Sequence, residues 1–189
     1  MPRFRLIAPL VCLIPLLSPA VDRALAQTVI ESNTSTRARD VVFVPTRGPV
    51  AEVMMRVANV TKNDVVYDLG CGDGALVVAA AKRGARVVGV DIDPERIKEA
   101  TEKVRAAGVQ DRVTLIRGDI FDPAIKIGEA SVVTLYLLQS LNEKLAPRLK
   151  AELKKGSRVV SHAFSMGTIW AAEKTEQVDG TTVYLWTIP

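Results

Sequence analysis

The sequence predicts an α/β fold with a mostly parallel sheet, helices on both faces of the sheet and a C-terminal antiparallel hairpin. Two observations lead to this prediction. Short β-branched and apolar runs alternate with segments of helical periodicity, which is typical of parallel strands joined by helical crossovers. Near the end of the chain, two runs of strand-forming residues flank Asp179-Gly180, a dipeptide that favours a two-residue hairpin turn.

Strands are predicted where β-branched and aromatic residues form short runs bounded by turn residues. Five such runs precede the hairpin, and they are mainly apolar, as expected for parallel strands buried on both faces. They cover residues 65–67, 86–90, 113–117, 131–138 and 158–164, and the hairpin strands cover residues 173–178 and 181–188.

Helices are predicted between these strands from apolar spacing and end signals. One begins at Pro49, after which apolar residues recur at the i, i+3, i+4 and i+7 spacing of one helical face. Residues 75–83 form a second helix, and Asp93 caps a third. A fourth covers residues 141–153, where we expect Pro147 to break or restart the helix.

The chain has 189 residues, which is enough for one domain with a full core and too few for two ordinary ones. We assign this domain to residues 41–189. Residues 27–40 are polar and rich in Ser, Thr and Arg, so they are predicted to form a linker. Residues 1–26 have a different composition and are predicted to be a signal peptide or an N-terminal anchor.

The N-terminal segment has the pattern of a secretory signal peptide. Arg3 and Arg5 precede an apolar run over residues 6–17, and small residues follow it up to Ala26. This run is shorter than the roughly 20 residues that a membrane-spanning helix needs. We expect cleavage after Ala26, or else after Ala20, and export to the periplasm or the membrane. An uncleaved anchor and a wrongly assigned start are the alternatives, and the protein is cytoplasmic if the segment is not a signal.

Charge and cysteine content exclude several kinds of site. The net charge is +4, and half of this excess lies in residues 1–26, so the surface of the domain is nearly balanced. Nucleic acid is therefore not expected as a substrate. The two cysteines are Cys12, in the predicted signal, and Cys71. A mature chain with one cysteine forms no disulfide framework, and we expect no metal site.

Two short segments indicate a nucleoside cofactor. The glycine-rich loop of residues 68–74 (Asp-Leu-Gly-Cys-Gly-Asp-Gly) lies between a predicted strand and a predicted helix. Its glycines allow backbone N–H groups to approach a ligand at a helix N-terminus. About 20 residues later the second strand ends at Asp91, whose carboxylate can accept both hydroxyls of a ribose.

These two motifs resemble those of class I S-adenosylmethionine (SAM) dependent methyltransferases, which have a seven-stranded Rossmann-like sheet. The G-x-G-x-G spacing differs from the G-x-G-x-x-G of nicotinamide-dependent oxidoreductases, which argues against that class. The resemblance implies that residues 68–74 border the methionine end of SAM, and that Asp91 binds the ribose. The implied cofactor-binding residues in these motifs are Asp68, Gly70, Cys71, Gly72, Gly74, Asp91 and Ile92, followed by Asp119 and Ile120 beside the adenine.

The segment of residues 136–140, which includes the end of the fourth predicted strand, is expected to face the transferable methyl group. It carries Tyr136 and Gln139, our candidate catalytic residues for orienting an acceptor amine or hydroxyl, although Tyr136 is equally expected as ordinary core. Base-directed and glutamine-directed N-methyltransferases usually have Asn-Pro-Pro-Tyr here, and this chain does not. His162, the single histidine, is a further candidate base, with a structural role as the alternative.

A closer resemblance covers roughly residues 40–189. Residues 43–46 (Phe-Val-Pro-Thr), residues 135–149 and residues 156–164 resemble small bacterial methyltransferases, which are distantly similar to the lysine methyltransferases of the ATP synthase c-subunit. The resemblance implies that Pro45 and Thr46 approach the cofactor. It also implies methyl transfer from SAM, with a protein lysine amine as a candidate acceptor. A non-catalytic SAM-binding protein of the same fold is the alternative.

Overall fold

The computed structural model describes residues 28–31 and 44–189, which form an eight-stranded sheet with helices on both faces. The strand order is β1-β4-β3-β2-β5-β6-β8-β7. The strands are β1 (Thr28–Glu31), β2 (Val65–Leu69), β3 (Arg86–Asp91), β4 (Val113–Arg117), β5 (Val132–Leu135), β6 (Arg158–His162), β7 (Lys174–Val178) and β8 (Thr181–Thr187). The predicted signal peptide lies outside the described residues, as does most of the predicted linker.

Strands β1 to β6 are parallel, and the C-terminal hairpin completes the sheet. Strand β8 runs antiparallel to β6 and inserts between β6 and β7. The central strand β2 pairs with β3 on one side and with β5 on the other. The chain order of the strands therefore reverses at β2, and ligands bind at such a point beyond the carboxyl ends of parallel strands.

In the described residues, four α-helices cover the sheet. They are α1 (Gly48–Val57), α2 (Ala75–Lys82), α3 (Pro94–Ala106) and α4 (Gln139–Glu152). Helices α1, α2 and α3 supply buried side chains to one apolar core, and α4 and the segment of residues 120–130 supply them to the other. Each helix buries an apolar stripe on its side of the sheet, as the sequence periodicity predicts.

The predicted fold class is confirmed, with three differences in its details. The sheet has eight strands instead of seven, because residues 28–31 of the predicted linker pair with β4 as an edge strand. Strands β5 and β6 end earlier than predicted, at Leu135 and His162. Helix α4 runs through Pro147 without a break, since burial of Leu145 and Leu149 on its inner face outweighs one missing backbone hydrogen bond.

The predicted hairpin turn at Asp179-Gly180 is present. Both residues have positive φ angles, 49° and 75°, as the tightest hairpin turns require. Within residues 28–31 and 44–189, no helix is long and apolar enough to cross a membrane.

Candidate functional site

A cavity of about 240 Å³ opens at the carboxyl ends of the central strands. It lies where the strand order reverses, between the loops that follow β2, β3, β4 and β5. Most of the predicted site residues line it together: Thr46, Asp68, Gly70, Cys71, Gly72, Asp91, Ile92, Asp119, Ile120 and Tyr136. Pro45, Gly74 and Gln139 do not line the cavity.

The glycine-rich loop forms the floor of the cavity. Gly70 and Gly72 have φ angles of 85° and 51°, which side-chain-bearing residues adopt only with strain. The N–H groups of Gly70 and Cys71 both donate to the carbonyl of Val90, at 2.8 and 2.9 Å, so the loop is fixed to the end of β3. A Cβ atom on Gly70 would lie 2.8 Å from Leu137 Cδ2. The backbone of this loop therefore leaves open a space that a side chain would fill.

Asp91 connects this loop to the end of β3. Its Oδ2 accepts a hydrogen bond from the N–H of Gly72 at 2.8 Å, and its Oδ1 accepts one from Asp93 at 2.9 Å. Burial raises the pKa of Asp91, while these backbone N–H groups oppose the rise. Each carboxylate oxygen has a second lone pair, so the group can still accept a pair of ligand hydroxyls.

Asp68 is a buried carboxyl group at the end of β2. It is 2% exposed, and the hydroxyl of Thr134 donates to its Oδ1 at 2.7 Å. Burial raises the pKa of Asp68 to about 7, and repulsion from Asp91 and Asp73 adds to this rise. Because a nearby cation favours the charged form, a positively charged ligand group would bring this carboxyl to its ionised state.

The loop after β4 forms a further wall of the cavity and is held by helix α4. Asp119 accepts a hydrogen bond from the N–H of Phe121 at 2.9 Å, and Ile120 and Phe121 line the cavity. Arg148 donates to the carbonyl of Ile120 at 2.6 Å and also to the carbonyl of Ile125. Phe121 and Arg148 were not predicted as site residues, because their contribution depends on packing between distant segments.

The opposite end of the cavity has aromatic walls. Tyr136 and Phe164 both line it, and their ring centroids are 6.3 Å apart. Leu138, which is 40% exposed, and Thr46 also line the cavity. Phe164 comes from the loop after β6 and was not predicted as a site residue. This end of the cavity can enclose an alkyl chain or another apolar group.

His162 lies beside these walls and does not line the cavity. Its ring stacks on Tyr136 with centroids 3.8 Å apart, and its Nδ1 is 3.4 Å from the hydroxyl oxygen of Thr46. Burial, with a smaller contribution from Arg47, lowers the pKa of His162 to about 4. The imidazole is therefore neutral near pH 7 and supports the ring of Tyr136.

Gly74, in the loop after β2, and Gln139, after β5, do not line the cavity and make contacts elsewhere. Gly74 adopts a φ of 80° at the start of α2, and a Cβ atom there would lie 3.0 Å from Ala100 Cβ in α3. It allows the two helices to pack closely. Gln139 is exposed, and its Nε2 donates to Glu143 Oε1 at 2.9 Å. Gly74 and the exposed Pro45 stay predictions as cofactor-binding residues, and Gln139 stays a prediction as a catalytic residue.

The fold and the cavity together define a class I SAM-dependent methyltransferase. An open glycine-rich loop, a carboxylate that can accept a diol, and apolar walls beyond it suit the methionine, ribose and adenine parts of SAM, respectively. More particularly, the chain belongs to the ANTKMT methyltransferase domain family, whose family model matches residues 68–174.

Relatives and solved structures agree with this assignment. A protein-lysine N-methyltransferase of Saccharolobus islandicus (strain REY15A) is 43% identical over 153 residues, which are 78% of this chain and 94% of the relative. A ribosomal protein L11 methyltransferase of Thermus thermophilus is 35% identical over 97 residues, 51% of this chain and 37% of that protein.

Among solved structures, an RNA methyltransferase from Salinibacter ruber in complex with S-adenosyl-L-homocysteine (SAH) is 50% identical, with a TM-score of 0.73. The alignment covers 77% of this chain and 94% of that one. SAH is the demethylated form of SAM. The cofactor of this protein is SAM, and its activity is SAM-dependent methyl transfer.

Proposed function

We propose that this protein transfers the methyl group of SAM to the ε-amino group of a lysine in a protein substrate. The observation that carries this proposal is the aromatic and apolar end of the cavity, formed by Tyr136, Leu138 and Phe164. Such walls suit a long alkyl chain that ends in one amine. The relative from S. islandicus is named a protein-lysine N-methyltransferase, which supports the same acceptor.

A lysine acceptor has to lose a proton before its nitrogen can attack, because its ordinary pKa is about 10.4. Apolar walls disfavour the ammonium and thereby lower the pKa of a lysine that enters the cavity. The proton passes to water at the open end, since His162 lies outside the cavity.

When bound, SAM supplies an activated methyl group, so the protein mainly has to align the acceptor and exclude water. Asp91 would hold the ribose hydroxyls, and Ile120 with Phe121 would border the adenine. Asp68 would hold the cationic amino group of SAM. A nearby positive charge lowers the raised pKa of Asp68, so the carboxyl group would ionise and pair with that cation. Tyr136 would orient the acceptor amine.

Transfer of labelled methyl groups tests the acceptor. The full chain is incubated with tritiated SAM and a lysate of the native host that lacks this protein. We expect label in protein that resists ribonuclease, is removed by protease, and yields methyl-lysine after acid hydrolysis. Asp91→Asn is the matched control, which should label nothing because its amide donates where the ribose hydroxyls do. Label confined to RNA would contradict the proposal.

RNA is the second candidate acceptor, because the Salinibacter structure at 50% identity is described as that of an RNA methyltransferase. The same experiment separates the two, since RNA labelling is lost after ribonuclease treatment. The absence of Asn-Pro-Pro-Tyr after β5 and the nearly balanced charge favour the protein acceptor.

We also propose that residues 1–26 direct the protein out of the cytoplasm, to the periplasm or to the membrane. The support is their sequence pattern of arginines, a short apolar run and small residues. N-terminal sequencing of the protein from fractionated host cells tests this. A chain that starts at Gln27 outside the cytoplasm is expected, and one that starts at Met1 in the cytoplasm would contradict it.

A further inference from the structure

The aromatic end of the cavity depends on an unusual turn that directly follows β6. Ala163 has a φ of 64°, in the left-handed region that disfavours side chains, and the N–H of Phe164 donates to the carbonyl of His162 at 2.8 Å. A positive φ under such a bond describes a γ-turn of the rare, strained kind. We call residues 162–164 the Ala163 turn. It directs Phe164 toward Tyr136 and the cavity.

Strained backbone persists only where surrounding interactions stabilise it. At this turn, hydrogen bonds from buried side chains provide that stabilisation. The hydroxyl of Ser161 donates to the carbonyl of Phe164 at 2.7 Å. Asn142, on helix α4, has its Nδ2 atom 3.0 Å from that same carbonyl and 3.2 Å from the Ser161 hydroxyl oxygen. A longer contact of 3.5 Å reaches the carbonyl of Ser165. Both Asn142 and Ser161 are 0% exposed.

The placement of Asn142 has a cost that an apolar residue would avoid. Its Oδ1 atom is buried and has no hydrogen-bond partner within the part of the chain that the structure describes. Leaving a buried acceptor unpaired lowers stability. The Nδ2 atom of the same amide contacts the carbonyl of Phe164, in the Ala163 turn, and the hydroxyl of Ser161, which itself donates to that carbonyl. These contacts offset part of the loss.

We propose that Asn142 is a positioning residue that, with Ser161, holds the Ala163 turn so that Phe164 stays against the acceptor. Asn142 does not line the cavity and touches neither the cofactor site nor the acceptor. It acts through Phe164, and it thereby links helix α4 to the aromatic wall of the cavity, where we expect the acceptor to bind. The inference rests on the proposed function only in its assumption that this wall receives the acceptor.

The turn is also tied to the C-terminal hairpin. The N–H of Ala163 donates to the carbonyl of Thr182 in β8 at 2.8 Å. The start of the turn is therefore fixed by the sheet, and Asn142 and Ser161 fix its end. Without Asn142, the end can relax while the start stays in place. We thus expect a local change at Phe164 and not a general loss of structure.

The test compares Asn142→Ala with Ser161→Ala, a milder variant of the same contact, in the full chain. We expect Asn142→Ala to lower kcat/KM for methyl transfer from tritiated SAM to the protein fraction of the host lysate by about tenfold or more, because small misplacements near a reacting group have large effects. SAH affinity, measured by calorimetry, should stay within about twofold, since Asn142 lies outside the cavity. Ser161→Ala should act in the same direction and less strongly.

Adding Ala163→Gly to Asn142→Ala distinguishes a specific role of Asn142 at this turn from a general contribution to stability. Glycine adopts a positive φ without the side-chain penalty, so the turn needs less support. In the Asn142→Ala background it should bring kcat/KM back to within about threefold of the wild type. Val104→Ala, in the core on the opposite face of the sheet, is the control for lost stability. It should leave kcat/KM unchanged, with or without Ala163→Gly.

Hydrogen exchange separates this inference from the proposed function. In Asn142→Ala, peptides over residues 161–167 should exchange faster, and those over the glycine-rich loop should not change. If the wild type methylates no lysine, the proposed function fails, and the exchange result still decides the role of Asn142. Wild-type exchange and wild-type kcat/KM in Asn142→Ala would overturn the inference. An equal loss of SAH affinity, with faster exchange throughout the domain, would overturn it as well.

Discussion

Gly70 and Gly74 were both predicted to bind the cofactor, and the structure allows their contributions to be separated by alanine substitution. At Gly74, a Cβ atom would lie 3.0 Å from Ala100 Cβ and 3.1 Å from Ala100 Cα, so the backbone of α3 would have to move. At Gly70, it would lie 2.8 Å from the end of the Leu137 side chain, which can rotate. Leu137 lines the cavity, so its movement changes the space for the cofactor.

The magnitudes follow from these contacts. A left-handed φ costs about 1–2 kcal/mol for alanine at either site. Gly74→Ala adds about 1–3 kcal/mol for overpacking against α3, so its free energy of unfolding should fall by about 2–5 kcal/mol. Gly70→Ala should lose only the cost of the left-handed φ, about 1–2 kcal/mol, because the flexible Leu137 side chain can move away. Its SAH affinity should instead fall by about tenfold or more, as expected when a side chain enters the cofactor space.

Urea unfolding followed by circular dichroism measures the first effect, and calorimetric titration of folded protein with SAH measures the second. In the double variant Gly74→Ala with Ala100→Gly, part of the overpacking should be relieved, with a coupling of about 1 kcal/mol. A Gly74→Ala variant as stable as the wild type would contradict the overpacking against α3. A folded Gly74→Ala variant that loses more SAH affinity than Gly70→Ala would contradict the separate contributions of the two glycines.

Three further predictions concern titration and loop support. Because burial lowers the pKa of His162 from 6.5 to about 4, stability should fall by about 2–3 kcal/mol as the pH drops through this window. Unfolding of His162→Gln at stepped pH should lack that decrease. Burial raises the pKa of Asp68 from 3.8 to about 7, so wild-type stability is lost as the pH rises between these values. Without ligand at pH 8, Asp68→Asn should therefore unfold at higher urea concentration than the wild type, and bind SAH more weakly. Arg148→Met leaves the carbonyls of Ile120 and Ile125 without this donor, which should cost about 1–3 kcal/mol of stability. Its SAH affinity should fall as well, whereas Arg105→Met, on the outer side of α3, should match the wild type in both measurements.

The parts of the site that sequence could predict are local in the chain. The strand, glycine-rich loop and helix of residues 65–82 follow from neighbouring residues, and Asp91 follows at a fixed spacing. Parallel strands then place the loops that follow them at one edge of the sheet. These relations explain why the cavity contains most of the predicted residues.

The remaining parts depend on packing between distant segments, which single-sequence patterns do not record. Phe164 reaches the cavity because Ala163 turns the chain, and Arg148 reaches the loop after β4 from the next helix. Strand β1 lies in a polar stretch, and its pairing with β4 is a tertiary contact. Pro147 is tolerated within α4 because neighbouring side chains are buried, which propensity alone cannot predict.

The thiol of Cys71 has a consequence for the environment in which this cofactor loop can operate. It is 5% exposed, and burial, together with the carboxylates of Asp68 and Asp91, raises its pKa well above the ordinary value. Oxidants and thiol reagents react with the thiolate, and the raised pKa makes this form less abundant. The thiol of the glycine-rich loop is therefore held in its protonated, less reactive form, and we expect this loop to resist oxidants and thiol reagents better than a loop with an exposed cysteine.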